Sequence, residues 1–412
     1  MLARRGMLCS LSLWERVGVR DEVSGTKPSP PTLSQREREQ IRTETETNNK
    51  LHASGVGTHM NILICTAQVP FVSGGAELHV ANLKRALIEA GHEADVVALP
   101  FKWYPPRETI RGALAWRMLD VTEANGKPVD MVIGMKFPAY LVEHPRKVLW
   151  VIHQYRSAYD MAGTDYDDLH SYADGAATKM FVKHVDEKFI PRAVKVYANS
   201  QNVAARMSRF NNIQSEPLYH PPPRAESLSP GPQGDYIFYP SRLEPQKRQE
   251  ILIEAARHLK SDAKIVLSGG GRYLAQYESL IKSDRTIRQR VELRGFVSEA
   301  EILKLYREAL AVCYLPWDED YGYVSLEAMY AGKPLIVARD GGGATEFIED
   351  GSEGLLVDPT PEDVARAIDE LYLDRKRAQQ MGDRGREKVL AMNLSWPNVV
   401  EKLTQPVIDL FK

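Results

Sequence analysis

Asp318-Glu319-Asp320-Tyr321-Gly322-Tyr323-Val324-Ser325-Leu326-Glu327-Ala328 lies between the apolar run Leu310-Ala311-Val312-Cys313-Tyr314-Leu315 and a helix closed by Gly332. A short apolar strand, a polar loop and a helix form the strand end at which open α/β sheets bind ligands. The spacing predicts Glu319 on the loop overhanging the helix and Glu327 in its first turn. Unpaired N–H groups at a helix start accept phosphate, and a carboxylate accepts vicinal hydroxyls through charge-assisted hydrogen bonds. Two acids so placed suit a nucleotide sugar, one on ribose and one on the sugar. The plainer reading, a solvated loop acid and a helix-start acid favoured by the macrodipole, stays open in a chain with 55 acidic residues.

The surrounding sequence repeats this pattern. Tyr236-Ile237-Phe238-Tyr239-Pro240 runs into a turn carrying Arg242 and Lys247, with a helix predicted over 248–259. Fixed cations beside a leaving diphosphate stabilise the charge that grows as its bond breaks. Asp340-Gly341-Gly342-Gly343-Ala344-Thr345-Glu346 follows the strand Leu335-Ile336-Val337 and is expected to open a short helix, with Glu346 either on a ligand or simply at that helix start. Strands at 236, 264, 291, 310, 335 and 355 alternate with helices, and Ser268-Gly269-Gly270-Gly271 and Leu293-Arg294-Gly295-Phe296 are further strand-end loops. Ser298 and Glu301 read as a capping box, and Thr360-Pro361 as the start of another helix.

The first half has the same alternation: a strand over 61–67, the turn Gly74-Gly75, a helix closed by Gly91 with Val80, Leu83 and Leu87 on one face, and a strand over 95–99. Further strands are expected at 131–134, at 148–152 ending in His153-Gln154, and at 194–198. Tyr219-His220-Pro221-Pro222-Pro223 and the Ser/Pro/Gly run to Gly234 break all periodicity. The expectation is an α/β chain with two doubly wound domains: 60–222, a linker over 223–234, 235–395, and a last helix, 396–412, returning to the first domain.

Glu319 to Glu327 with Tyr321-Gly322 between them, Arg242 with Lys247, Gly342-Gly343 with Glu346, and Gly74-Gly75 match E-x7-E, R-x4-K, G-G-x-x-E and an N-terminal glycine loop in order. In this the chain resembles the retaining glycosyltransferases of family 4 (glycosyl transferases group 1). The resemblance implies the GT-B fold, two Rossmann-like domains facing a central cleft. It implies that Arg242 and Lys247 hold the donor diphosphate, that Gly74 and Gly75 close over it, and that Gly295 lies among the phosphate and base contacts. Glu319 would meet the sugar and Glu327 the ribose, with Tyr321, Gly322, Tyr323, Val324, Gly342, Gly343 and Glu346 among the nucleotide-sugar-binding residues. His153, Glu319, Arg242 and Lys247 are the implied catalytic residues, with His153 near sugar and acceptor. Gln154 stands where the family usually has an acid, and Arg248 where it usually has glycine. The implied co-substrate is a UDP- or GDP-linked sugar and the acceptor a carbohydrate or glycolipid, with no cofactor and no metal. Asp318 and Asp320 form a D-x-D that the cations make redundant. The rival readings are a GT-B epimerase and a binding protein that has lost turnover. A dinucleotide dehydrogenase is disfavoured because no G-x-G-x-x-G follows the first strand.

With 412 residues, 43% of them hydrophobic, the chain can bury two cores, and a formal net charge of −2 disfavours a nucleic-acid binder. No run approaches the ~18 apolar residues of a spanning helix. Membrane contact would be peripheral, with 179–195 the candidate, although it reads more simply as a surface helix. Cys9, Cys65 and Cys313 lack metal-ligand spacing and suit buried thiols in a reducing cytoplasm, and the family resemblance adds the inner membrane face as a setting. Residues 1–59 repeat a Leu-Ser pattern and then turn polar, as a disordered upstream extension would, so the fold is expected to begin at Met60.

Overall fold

The computed structural model describes residues 59–71 and 74–412. The expected upstream extension and Cys9 lie outside the described residues. Six parallel strands form the first sheet: β1 (Asn61–Gln68), β2 (Glu93–Pro100), β3 (Met131–Gly134), β4 (Lys147–Val151), β5 (Lys195–Ala198) and the short β6 (Glu216–Pro217), in spatial order β2-β1-β3-β4-β5-β6. Six more form the second: β7 (Tyr236–Pro240), β8 (Lys264–Ser268), β9 (Val291–Leu293), β10 (Ala311–Tyr314), β11 (Leu335–Ala338) and β12 (Gly354–Val357), in order β9-β8-β7-β10-β11-β12. The protein is thus α/β with two parallel-sheet, Rossmann-like domains. Strands buried on both faces read as the unbroken apolar runs seen in β3, β4, β10 and β11.

Both sheets reverse their strand order, the first between β1 and β3 and the second between β7 and β10. At such a switch point the flanking connections leave on opposite faces and open a crevice at the strands' carboxyl ends. Val399, Val400, Leu403 and Val407 of the helix Trp396–Ile408 join Met60, Ile62, Leu83 and Leu87 in a first-domain core, and Tyr197 donates to Lys402 O at 2.8 Å. No regular element lies between β6 and β7. Cys65 and Cys313 are buried free thiols in β1 and β10.

Three local expectations are corrected. The helix after Lys247 is Gln249–Ala255, because Arg248 takes a left-handed conformation (φ 51°) that cannot continue a helix. Glu327 is in the second turn of the helix Tyr323–Tyr330, since Gly322 rather than an earlier residue starts it. Residues 343–347 form turns, not a helix: Gly342 has φ 59°, and the chain there is tied to the neighbouring loop. Segment 179–195 is mostly the helix Gly175–Phe189, whose Val182, Val185 and Phe189 are buried against the first sheet. Among the described residues no helix is long and apolar enough to cross a membrane.

Beneath the first sheet's carboxyl edge, buried Asp186 accepts hydrogen bonds from Tyr140 Oη (2.9 Å), Tyr159 Oη (2.7 Å) and Gln154 Nε2 (3.1 Å). Burial outweighs these donors and raises its pKa from 3.8 to about 7. A carboxyl with a raised folded pKa stabilises the fold fully below its ordinary value, and that contribution is lost as pH rises through 7. Between about pH 5 and pH 8 the melting temperature of the natural protein should therefore fall relative to Asp186→Asn. A scanning fluorimetry series would show the two curves diverging with pH; parallel curves would mean Asp186 is already ionised at the acid end.

Candidate active site

The second sheet's switch point lies between the loop after β7, which carries Arg242 and Lys247, and the loop after β10, which carries Glu319. Lys247 Nζ forms an ion pair with Glu319, and Tyr314 Oη bridges the two at 3.1 Å and 3.0 Å. Arg242 is exposed and faces the opposite domain: a Cβ on Gly74 would lie 3.9 Å from its guanidinium carbon. A Cβ on Gly75 would meet the Tyr323 ring at 3.2 Å. The glycine turn at the start of the helix Gly75–Glu89 is thus pressed against the second domain's cationic loop, and its lack of side chains permits the approach. Lys247 is thus brought to Glu319, and Arg242 to Gly74.

Arg248 holds this loop in place. It donates from Nε to Leu315 O (2.7 Å), from Nη2 to Pro316 O (2.9 Å) and to both Asp340 oxygens at 2.9 and 2.6 Å. Its left-handed backbone explains why glycine suits the position, and the side chain supplies bonds that offset the conformational cost.

Glu327 is buried, with Tyr306 Oη at 2.7 Å and Arg224 Nη1 at 3.0 Å, and burial raises its pKa despite these partners. Tyr321 and Tyr323 turn toward the domain junction. The Tyr321 hydroxyl bonds the His220 backbone and its ring stacks on His220 at 4.4 Å, while Tyr323 Oη lies 2.6 Å from His220 Nε2. Gly322 packs tightly, since a Cβ there would come within 2.8 Å of Ala344, and Val324 follows in the first turn of the helix. Gly295 (φ 64°) accepts from Gly269 N at 2.7 Å, and an exposed Phe296 beside it covers Gly270.

Glu346 reaches across to the first domain. Its carboxylate accepts from Gln201 N (3.1 Å), Asn202 N (2.5 Å) and Tyr219 Oη (2.9 Å), capping the N-terminus of the first-domain helix Gln201–Asn211 from across the junction. Gly342 and Gly343 likewise pack on the 318–320 loop. A Cβ on Gly342 would sit 2.5 Å from both Asn202 Nδ2 and Asp318 Oδ1, and one on Gly343 would lie 2.6 Å from Asp320 O.

At the first domain's strand ends, His153, Lys136, Arg156, Phe101, Trp103 and Tyr155 line a cavity of ≈ 290 Å³ that Asp320 and Gln246 close from the second domain. His153 Nδ1 lies 2.8 Å from Gln154 O; the carbonyl can only accept, so Nδ1 carries the proton and Nε2 keeps its lone pair. Burial lowers the ring's pKa, against the raising influence of Asp320, and keeps it neutral. Gln154 points away, into the Asp186 network, with Asn211 Oδ1 at 2.9 Å.

Sequence reading missed the side chains that join the domains. Asn202 Nδ2 donates to Asp318 Oδ1 (2.7 Å) and Glu319 O (2.8 Å). Arg206 pairs with Asp320 and Asp318 and donates to Asp318 O at 2.8 Å, while Arg156 reaches Asp318 at 3.4 Å and is paired with Asp160 at 2.6 Å. Asp320 is held well below the usual carboxylate range by Arg156 and Arg206, which overcome its burial. The available signal was faint: Asn202 and Arg206 are four apart, hence on one helical face, just after a strand end.

Residues 225–388 match the family model described as glycosyl transferases group 1. An uncharacterised glycosyltransferase of Methanocaldococcus jannaschii is 24% identical over 387 residues, covering 81% of this chain and 94% of that protein. A GDP-mannose-dependent alpha-(1-6)-phosphatidylinositol monomannoside mannosyltransferase of Mycobacterium tuberculosis is 36% identical over 175 residues, which is 40% of this chain and 44% of the relative. The chain therefore aligns with less than half of that relative's length. Among solved structures, sucrose-phosphate synthase from Thermosynechococcus elongatus superposes with a TM-score of 0.66 at 18% identity, covering 86% of this chain and 99% of that one. Anabaena HepE in complex with UDP and glucose gives 0.62 at 17%, covering 85% and 100%. The fold is GT-B, and the matches support a group 1 glycosyltransferase.

Replacing Arg248 tests the scaffold of the cationic loop. Arg248→Ala should cost about 2 kcal/mol in urea unfolding through its lost charge-assisted bonds. Arg248→Gly should cost about 1 kcal/mol less, because glycine accepts the left-handed backbone. Equal losses in the two variants would show that the backbone carries no strain.

Proposed function

We propose that this chain is a retaining glycosyltransferase of family 4 that moves a hexose from a UDP- or GDP-linked donor to a hydroxyl of a carbohydrate or glycolipid acceptor. The observation that carries this reading is the pairing of Lys247 with Glu319 across the second sheet's switch point, on loops one of which also carries Arg242, itself against Gly74 of the first domain. A diphosphate beside these cations would gain stabilisation as the bond to C1 breaks and its electron pair moves onto phosphate oxygen. The acceptor oxygen then bonds C1 on the face the diphosphate leaves, and its proton passes to the departing diphosphate. A covalent sugar intermediate would need a carboxylate ready to attack. Glu319 is instead paired with Lys247 and Tyr314, which suits it to sugar hydroxyls.

Glu327, with its two oxygens each using one lone pair on Arg224 or Tyr306, keeps acceptor capacity for ribose. His153, its Nδ1 bonded to Gln154 O, lines the cavity where an acceptor would lie, and the aromatic lining suits a sugar ring or lipid-linked saccharide. Charge neutralisation by Arg242 and Lys247 requires no metal, and the D-x-D carboxylates are already engaged by Asn202, Arg206 and Arg156. The mycobacterial relative's lipid acceptor and GDP-mannose, and the UDP of the Anabaena complex, favour lipid-linked or surface-polysaccharide synthesis at the cytoplasmic membrane face with either base.

The test is calorimetric titration with UDP and GDP, followed by nucleotide release from the matching sugar donors with and without saccharide acceptors. Selective binding with acceptor-dependent release is the expected result; no binding of either nucleotide overturns the reading. Arg242→Ala should lower turnover about 10² to 10³-fold, as removal of one electrostatic donor does. Chelator should leave the natural rate unchanged, and a chelator-sensitive rate would move the diphosphate role from the cations to a metal.

A further inference from the structure

Asp318, Glu319 and Asp320 form one bent loop, in which Glu319 makes an isolated parallel bridge with Gly342. The backbone of this loop is tied to its own domain through Asp318 N to Asp340 O (2.9 Å), Glu319 N to Gly341 O (3.0 Å) and Gly343 N to Glu319 O (2.7 Å). The side chains divide. The Glu319 carboxylate meets Lys247 and Tyr314 of the second domain. Among the described residues, every side-chain partner of Asp318 and Asp320 belongs to the first domain: Arg156, Asn202 and Arg206. Asp318 is held at φ 43°, an uncommon backbone for a residue with a side chain, and Asn202 bonds both its carboxylate and the next carbonyl. Without the first-domain cations, three adjacent carboxylates would repel one another at the point where Glu319 must be fixed.

We propose that Asn202 and Arg206 are positioning residues for Glu319: the first domain holds the acidic loop in the conformation in which Glu319 meets the donor sugar, so the donor site is complete only while the domains touch. This rests on the glycosyl-transfer reading for its catalytic consequence, though not for the holding of the loop. Gly342 belongs to the same device, since any side chain there would strike both ends of the Asn202–Asp318 hydrogen bond.

Asn202→Ala in the full chain is the sharpest variant, because it removes two hydrogen bonds and leaves the buried arginine in place. Amide exchange over residues 317–322 should quicken about tenfold while the second sheet is unchanged. Turnover with the sugar donor should fall about tenfold at an affinity for free UDP or GDP within about twofold of the natural protein, since the bare nucleotide does not touch Glu319. In a Glu319→Ala background the same substitution should cost less than about twofold, because the residue it acts through is gone. Arg206→Lys should show the same pattern at smaller size. An additive loss in the Glu319→Ala background, or a parallel fall in nucleotide affinity, would show that Asn202 acts on the fold at large and overturns the proposal. Unchanged exchange over 317–322 overturns it whatever the activity. Faster exchange in a protein that transfers no sugar would leave the loop-holding intact and remove the transferase reading alone.

Discussion

Three consecutive acids share one short loop, and the cations that pair two of them, Asp318 and Asp320, come from the other domain, while Glu319 pairs with Lys247 of its own. Arg206 and Arg156 stand among Asp160, Asp318 and Asp320, two positive charges against three negative. Partly buried pairs of this kind are little screened by salt, and breaking one leaves an uncompensated charge. The junction therefore has a defined register: the helix Gln201–Asn211 must sit where its face reaches the acidic loop and its start reaches Glu346. Around that register the rest of the cleft is arranged, with Gly74 against Arg242 and His153 beside Asp320.

The sheets and the cationic loop were legible because their signals are local. Unbroken apolar runs announce buried parallel strands, and glycine or cation clusters at their ends announce loops that approach a ligand. Arg242, Lys247 and Glu319 followed from that logic, and Lys247 and Glu319 pair with each other. What was not legible depends on groups far apart in sequence. Glu346 read as a helix-start acid or ligand contact; it caps a helix whose first residue is Gln201. Tyr321 and Tyr323 sit in the E-x7-E stretch, yet their hydroxyls meet His220, which only the folded junction brings near. Arg248 looked like an anomaly in a glycine position until its bonds to two carbonyls and Asp340 were in view.

The first domain's side of the cleft shows where Gln154 goes. With glutamine at 154, the side chain joins a buried network with Asp186, Tyr140, Tyr159 and Asn211 instead of presenting charge to the cavity. The carboxylate that does reach the vicinity of His153 is Asp320, delivered by the second domain. The polarity of the cavity is therefore set by both halves, and its two sources of charge are independent of each other in the chain.

The helix Trp396–Ile408 has a mechanical meaning. Because the chain leaves the first sheet after β6 and returns to it at this helix, two separate strands of polypeptide tie the halves together. One tether would act as a ball joint, free to swivel in any direction. Two tethers define an axis, as a pair of pins does for a door, and the cheapest relative motion is a swing about the line joining them. On such a door the acidic loop and its arginines are the catch.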